Sequence, residues 1–510
     1  MTFRSILGHR LNFKLLSGLV ALWCLAAVDS PAQTYTNLLD FNFADGAAPE
    51  STLIQATDGN LYGYTTGGGL DVCAGSCGTL FKIDDQGQLT TFYEFCSGGK
   101  LPCLDGMTPN GALIQASDGN FYGTTEQGGP NNGPNCQHGC GTIFRITPTG
   151  KLTTLYNFCS LENCADGASP AGALLQASNG KLYGETGIGG NGVQFGMGTL
   201  FELTLQGKLT TIHTFCANYP DCFDGVTPTF GLIQARNGNL YGTTAEGGGI
   251  VSGATLLYGT VFELKLDGTL TSLYSFCTSG YPTCPDGEYP VGQLVPGADG
   301  NLYGATNQGG TGHLGTIFEM SPSGSLTTIH AFQGTDGGFP AGIMRAANGA
   351  FYGSTDYEGA NGEGGTLFLL NSAGMSTLYN FCSQPNCTDG SSPSVLTQGT
   401  DGVLYGTTIS GGNLKACFGG CGVLFSLNDG LHPFVEADPG FGKPAGRVVL
   451  LGTNLAGTSG VSFNGTPATF QIVSKSEVIT AVPAGATSGF VTVTTPTGPL
   501  TSNVPFKVIP

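Results

Sequence analysis

Residues 112–125 read ALIQASDGNFYGTT: a short apolar segment, an Asp-Gly turn, and a second segment centred on Tyr122. Asp-Gly is one of the strongest hairpin dipeptides, because both residues can adopt positive φ. Two more short segments follow, at 142–146 and 152–158, and a Gly150 turn separates them. β-branched and aromatic residues dominate these segments, and none has a sustained helical period. The stretch predicts four short antiparallel strands, which we name a, b, c and d.

This four-strand unit recurs along the chain. Leu/Phe-Tyr-Gly repeats at intervals of 49 to 62 residues, with its tyrosine at Tyr62, Tyr122, Tyr183, Tyr241, Tyr303, Tyr352 and Tyr405. A strand-c phenylalanine follows about twenty residues later, at Phe81, Phe144, Phe201, Phe262, Phe318, Phe368 and Phe425. Asp-Gly-x-x-Pro begins at Asp45, Asp105, Asp166, Asp224, Asp286, Asp336 and Asp389. Three markers agree on seven units. They predict an all-β fold, a seven-bladed β-propeller of four-stranded repeats, with a solenoid as the alternative.

The N-terminal segment 35–43 resembles a strand d that precedes the first strand a. The seventh unit's own candidate for strand d, 431–435, contains Pro433, which cannot donate a ladder hydrogen bond. A closed ring leaves no exposed sheet edge. We therefore expect the N-terminal strand to complete the seventh unit.

Sixteen cysteines remain after residue 32, and they fall into close pairs. Three pairs lie in b–c loops: Cys73/Cys77, Cys136/Cys140 and Cys417/Cys421. Five pairs follow strand d: Cys96/Cys103, Cys159/Cys164, Cys216/Cys222, Cys277/Cys284 and Cys382/Cys387. In two units, the loop after strand d lacks both cysteines of the pair, which is the pattern expected if the two cysteines form a disulfide with each other. We predict eight local structural disulfides. Zinc is the alternative for the Cys-x₃-Cys pairs, but it requires two further ligands, and no histidine recurs beside them.

Consecutive strands run antiparallel, so the b–c and d–a loops leave every unit at the same end. The disulfides and most of the length variation therefore lie on one face, which we name the looped face. The opposite end, with its short a–b and c–d turns, is the tight-turn face. Variable loops on a rigid scaffold commonly carry binding sites. We expect a glycan or a surface protein to bind the looped face, although the disulfides also serve stability alone.

The N-terminus and the composition indicate export. Arg4, Arg10 and Lys14 precede an apolar run at 15–28, as in a signal peptide cleaved near Ala32. Without residues 1–32, 14 basic and 34 acidic side chains remain, a net charge of −20. Such a chain does not bind nucleic acid or an anionic membrane by charge. No later segment is long and apolar enough to span a membrane. We expect a secreted, extracellular or periplasmic protein.

The expected domains are a signal peptide (1–32), the propeller (33–436), a Pro/Gly-rich linker (437–446) and a small β-sandwich (447–510). The sandwich is indicated by short alternating strands between turns at 448–455, 460–466, 478–485 and 489–494. This last segment is similar to IPT/TIG domains, Ig-like modules of surface and extracellular proteins. The motifs Asp-Gly-Asn-Phe-Tyr-Gly-Thr-Thr, Gly-Thr-Ile-Phe and Leu-Thr-Thr-Leu-Tyr-Asn-Phe resemble the Gloeo/Verruco ("GloVer") tandem repeat of exported bacterial proteins. This resemblance covers about residues 35–435 and implies an exported or surface protein.

Catalytic motifs are missing from the sequence. It has no Gly-x-Ser-x-Gly and no cysteine left over as a nucleophile, and its histidines do not recur at one place in the unit. His213 and His330 stand where other units have a strand-d tyrosine, and we interpret them as its replacements. The seven Asp-Gly-x-x-Pro aspartates suggest either calcium ligands or turn caps, and recurrence in every unit favours the caps.

We therefore predict a non-catalytic binding protein without a cofactor, a catalytic residue or a metal site. Two alternatives remain open. One is a purely structural surface component. The other is a carbohydrate-active enzyme that uses acids near the b–c loops, such as Glu126, Glu246 and Glu358.

Overall fold

The computed structural model describes residues 33–70, 73, 77–133, 136–190, 197–250, 258–278 and 284–509. The predicted signal peptide, residues 1–32, lies outside the described residues. The described chain is all-β, and most of it forms antiparallel sheets of four strands that resemble propeller blades.

Each sequence unit corresponds to one of these sheets. In unit one, strands a to d are Ile54–Gln55, Leu61–Thr65, Thr79–Ile83 and Leu89–Glu94, and in unit two they are Met107–Gln115, Phe121–Gln127, Thr142–Ile146 and Leu152–Asn157. In unit three they are Ala168–Gln176, Leu182–Ile188, Thr199–Leu203 and Leu209–Thr214. In unit four, strand a is Val226–Pro228 with Ile233–Gln234, and strands b to d are Leu240–Glu246, Thr260–Leu264 and Leu270–Ser275. In unit five, strands a to d are Glu288–Pro296, Leu302–Gln308, Thr316–Met320 and Leu326–Ala331. In unit six they are Gly338–Arg345, Phe351–Tyr357, Thr366–Asn371 and Gly374–Asn380. A small ribbon, Asp221–Cys222 with Gly249–Ile250, and two 3₁₀ turns, Glu162–Cys164 and Pro385–Cys387, lie in the loops.

The seventh sheet combines both ends of the repeat region. Its strands a to c are Ser391–Pro393 with Thr397–Gln398, Leu404–Ser410 and Val423–Asn428. The N-terminal strand Thr34–Asp40 pairs antiparallel with Val423–Asn428 in the strand-d position. Residues 431–434, which include Pro433, form no strand. The pairing agrees with the expectation for the N-terminal segment.

Packing explains why the repeat motif keeps a glycine after its tyrosine. A Cβ on Gly123 would lie 2.6 Å from the tip of the Phe144 ring, so a side chain there would displace the strand-c phenylalanine. The other units make the same contact within 2.4 to 2.6 Å. The Thr-x-Phe frame has a second role, because the Thr142 hydroxyl forms a buried hydrogen bond (2.8 Å) with that of Thr125 on strand b. The markers that define the repeat are therefore contacts inside one sheet.

A second aromatic contact joins neighbouring sheets. The phenylalanine that follows strand d packs on the strand-c phenylalanine of the next unit, at centroid distances of 5.1 to 5.5 Å. The pairs are Phe95–Phe144, Phe158–Phe201, Phe215–Phe262, Phe276–Phe318, Phe332–Phe368, Phe381–Phe425 and Phe41–Phe81. The last pair joins the seventh sheet to the first. The Thr407 hydroxyl adds a hydrogen bond to the Pro49 carbonyl (2.7 Å) at the same boundary.

The C-terminal unit has its own buried core between two sheets. One sheet contains Glu436–Asp438, Arg447–Leu451, Glu477–Ala481 and Phe470–Ile472, and the other contains Thr466–Ala468, Gly460–Phe463, Val491–Thr495 and Gly498–Thr501. Phe441–Gly442 pairs with Lys507–Val508, and a 3₁₀ turn spans Leu455–Gly457. The structure thus places most of Glu436–Asp438 and all of Phe441–Gly442 in the segment 437–446 that its Pro/Gly content marked as a linker. Backbone pairing with Arg447–Leu451 outweighs the composition there.

Candidate functional site

The looped face carries all the predicted disulfide pairs. The structure contains eight disulfides: Cys73–Cys77, Cys96–Cys103, Cys136–Cys140, Cys159–Cys164, Cys216–Cys222, Cys277–Cys284, Cys382–Cys387 and Cys417–Cys421. Disulfides persist in oxidising compartments and are rare in the cytosol. The eight bonds therefore indicate a protein exported from the cytosol. In the described part of the chain, no helix is long and apolar enough to cross a membrane.

In two units the b–c and strand-d disulfides meet, a convergence that sequence spacing alone does not reveal. The Sγ atoms of Cys136, Cys140, Cys159 and Cys164 all lie within 4.8 Å of one another. In the first unit, the Cys73 Sγ lies 3.6 Å from that of Cys103. The Cys136/Cys140 pair of the second unit thus gains the two additional sulfur atoms that the zinc alternative lacked, whereas the group in the first unit contains only Cys73, Cys96 and Cys103. The four thiols of the second unit match a tetrathiolate site when reduced, whereas the structure has them bonded as two packed disulfides.

The Asp-Gly-x-x-Pro aspartates are engaged inside the fold. Asp166 accepts hydrogen bonds from the Tyr156 hydroxyl (2.8 Å) and the Ser160 N–H (2.9 Å), which fixes the joint after strand d. In five other units, a hydrogen bond likewise links a strand-d tyrosine or histidine to the aspartate of the motif. The pairs are Tyr93–Asp105, His213–Asp224, Tyr274–Asp286, His330–Asp336 and Tyr379–Asp389. The interpretation of His213 and His330 as tyrosine replacements is confirmed. Asp45, which follows the N-terminal strand, is bound instead by Asn42.

Exposed apolar side chains project from the disulfide-closed loops. Leu101, Leu161, Tyr219 and Phe418 each lie between the two cysteines of a pair, and each is at least 46% exposed. A short covalent loop has little freedom to fold an apolar side chain back into a core. These residues therefore stand on the looped face in several units.

The three acids proposed for an enzyme alternative do not form one group. Glu126 ends strand b of the second unit, Glu246 ends that of the fourth, and Glu358 follows that of the sixth. Burial raises the pKa of both Glu126 and Glu246. Among the described residues, no repulsion between two of the three acids contributes to either shift.

Sequence reasoning missed two carboxylates, Glu50, which interacts with Glu126, and Asp356, which interacts with Glu50. The pKa of Glu50 is raised, first by desolvation and then by repulsion from Glu126. Burial raises the pKa of Asp356 to about 6, and the charge of Glu50 contributes. Asp356 stands at the strand-b position of Glu126, and Glu50 follows the proline of the first Asp-Gly-x-x-Pro motif. Alignment of the units would have shown both as acids where most units have neutral residues.

A cavity of about 960 Å³ lies at the tight-turn face beside the C-terminal unit. Asp58 and Asp401 line it, but each is already engaged by its own turn. Asp58 accepts hydrogen bonds from the Asn60 N–H (3.0 Å) and the Tyr62 hydroxyl (2.8 Å). Asp401 accepts from Tyr405 in the same way (2.9 Å). These two acids therefore hold the a–b hairpins of the first and seventh units.

Comparison with solved structures returns distant matches. A protein described as a gluconolactonase is 12% identical with a TM-score of 0.37, and the match covers 79% of this chain and 94% of that one. A fungal alcohol oxidase of the AA5 family, in complex with copper, is 13% identical with a TM-score of 0.47, covering 94% and 99%. A luciferin-regenerating enzyme is 13% identical with a TM-score of 0.38, covering 64% and 93%. At these identities no function transfers.

No curated protein sequence matches the chain. The family model of the Gloeobacter/Verrucomicrobia repeat matches residues 25–256 and 224–425. The matched residues span the region of the seven units and exclude the C-terminal unit. The expected resemblance of the repeat is thereby confirmed. The chain belongs to the Gloeobacter/Verrucomicrobia repeat family.

Proposed function

We propose that this chain is a non-catalytic binding protein of the periplasm or the cell exterior, and that its looped face binds a glycan or a surface protein. Its repeat region is a closed seven-bladed propeller, supported by the Phe41–Phe81 contact and by the N-terminal strand of the seventh sheet. The C-terminal unit is an IPT/TIG-like module.

The proposal rests mainly on one observation: the disulfide-closed loops expose apolar side chains to solvent on the looped face. Water-exposed leucine and aromatic side chains gain free energy when a partner covers them. Aromatic side chains in particular provide rigid contact area at binding surfaces. The net charge of −20 without residues 1–32 favours neutral or cationic partners over anionic ones. A neutral glycan meets both conditions, so we place it first.

The test is a glycan-array screen of purified, oxidised residues 33–510, with and without calcium. Saturable binding to a neutral glycan is the expected result. Binding that persists in chelator supports the structural role of the Asp-Gly-x-x-Pro aspartates, whereas strict calcium dependence contradicts it. A blank array rejects the glycan and leaves a surface protein as the partner to be sought.

One observation favours a second candidate, a glycoside hydrolase. Burial and the charge of Glu50 raise the pKa of Asp356 to about 6, and a carboxylic acid with a raised pKa beside a second carboxylate is the usual arrangement for sugar hydrolysis. Release of reducing sugar from array-positive glycans, abolished by Asp356→Asn, would establish this activity. Intact glycan after prolonged incubation would support binding without catalysis.

A further inference from the structure

A second, smaller cavity opens on the looped face, at the boundary between the second and third units. Its volume is about 280 Å³. Glu126, Gln127, Cys136, Gln137, His138, Gly139 and Ser169 line it. Glu126 and Gln127 end strand b, the residues from 136 to 139 belong to the b–c loop, and Ser169 comes from strand a of the third unit. We name this cavity the Glu126 pocket.

The backbone around the Glu126 pocket is fixed in several places. The disulfide Cys136–Cys140 closes the loop, and the Gly128 N–H donates to the His138 carbonyl (3.0 Å). Gly139 has a φ of +95°, and a Cβ there would lie 2.2 Å from the Gly128 carbonyl oxygen. Only glycine allows this approach. The Ser169 N–H donates to the Cys140 carbonyl (2.9 Å), which ties the third unit to the same loop. The pocket is thus largely preformed.

The polar side chains of the Glu126 pocket are uncommitted. Within the described residues, no group donates a hydrogen bond to the Glu126 carboxylate, and no lysine or arginine pairs with it. The side chains of Gln127, Gln137 and His138 likewise lack partners among the described residues. A carboxylate accepts, whereas amides and imidazole both donate and accept. Alternating donors and acceptors around one carboxylate complement adjacent hydroxyl groups of a sugar.

We propose that the Glu126 pocket binds one hexose ring of a neutral glycan, with the Glu126 carboxylate accepting hydrogen bonds from sugar hydroxyls. Its volume of about 280 Å³ lies just below the usual range of small-molecule sites, which suits a single ring. Cys136 and Gly139, which both line the pocket, supply the apolar contact for the ring's C–H groups. This inference rests on the proposed function and narrows it to one site.

The test uses residues 33–510 with intact disulfides and four probes: the methyl glycosides of glucose, mannose, galactose and N-acetylglucosamine. Saturation-transfer NMR should detect at least one of them. Glu126→Gln removes the charge at nearly constant volume and should weaken that binding about tenfold or more, because hydrogen bonds to a charged acceptor are the strong ones. The control is Glu94→Gln, a half-buried acid at the end of strand d in the first unit and outside the pocket. It should bind like the parent.

Failure of this inference can be separated from failure of the proposed function. The Glu126 pocket is not the site if none of the four glycosides gives a signal in the NMR difference spectra. It is also not the site if Glu126→Gln and the parent bind equally well. If the array still shows glycan binding in either case, the proposed function stands and its site lies elsewhere on the looped face. A blank array rejects the glycan function itself. Circular dichroism of both variants checks that each one folds.

Discussion

The proposed closure of the ring can be tested with one substitution. Phe41 follows the N-terminal strand, is 0% exposed and packs on Phe81, with ring centroids 5.1 Å apart. Leu53 and Leu424 belong to the same buried cluster. Truncation of a fully buried phenylalanine to alanine costs about 3–5 kcal/mol. Because Phe41 contacts both the first and the seventh sheets, we expect Phe41→Ala to lie in the upper half of this range.

The assay is urea unfolding of the oxidised protein, followed by circular dichroism. Phe43→Ala is the matched control, because Phe43 lies two residues further on and is 36% exposed; its cost should stay near 0.5 kcal/mol. Phe95→Ala removes the equivalent contact between the first and second units and should cost as much as Phe41→Ala. If Phe41→Ala instead matches Phe43→Ala, the N-terminal segment does not close the ring in solution.

Three further predictions concern the interior and the cysteines. Non-reducing mass spectrometry should find no free thiol among the sixteen cysteines and no zinc in the oxidised protein; bound zinc with free thiols would favour the tetrathiolate. Gly111→Ala should destabilise the folded protein by about 3 kcal/mol, because φ is +84° and the new Cβ would lie 2.0 Å from the Gly172 carbonyl oxygen. Its control is Gly119→Ala, which has open space around the new Cβ and should destabilise the protein by about 1 kcal/mol. Burial raises the pKa of Glu185 from 4.5 to about 8. Between these two pH values the folded state retains a proton that the unfolded state releases. The free energy of unfolding should therefore fall by up to about 1.4 kcal/mol for each unit by which the pH rises from 4.5 to 8. Glu185→Gln should remove that slope in urea titrations across pH, and an unchanged slope contradicts the burial.

The repeat unit was predictable because its markers encode contacts within one sheet. The glycine after Tyr122 admits the Phe144 ring, and the Asp118 carboxylate accepts the Tyr122 hydroxyl hydrogen bond (2.9 Å) at the hairpin turn. Such contacts join residues a fixed distance apart along the chain, so they recur as motifs. Pairs of nearby cysteines are local in the same sense, and all eight pairings followed from spacing.

Features that depend on contacts between units were not predictable in the same way. Glu185 stands where other units have small or neutral residues, and its carboxylate accepts from the Gly231 N–H (2.9 Å) of the next unit. The grouping of Glu50 with Glu126 and Asp356 likewise joins acids from different units. Residue spacing in one chain segment contains no information on which positions of separate units converge. The Glu126 pocket depends on such a junction, because Ser169 comes from the third unit.

The most direct test of the central claim compares the two faces of the repeat region on the same glycan array. A triple variant, Leu161→Ser, Tyr219→Ser and Phe418→Ser, removes exposed apolar side chains from three disulfide-closed loops. The control, Leu266→Ser, changes a 37% exposed leucine in a c–d turn at the tight-turn face. We predict that the triple variant loses array binding while the control retains it. Binding that survives the triple variant but is lost in the control would place the ligand on the tight-turn face and contradict the account.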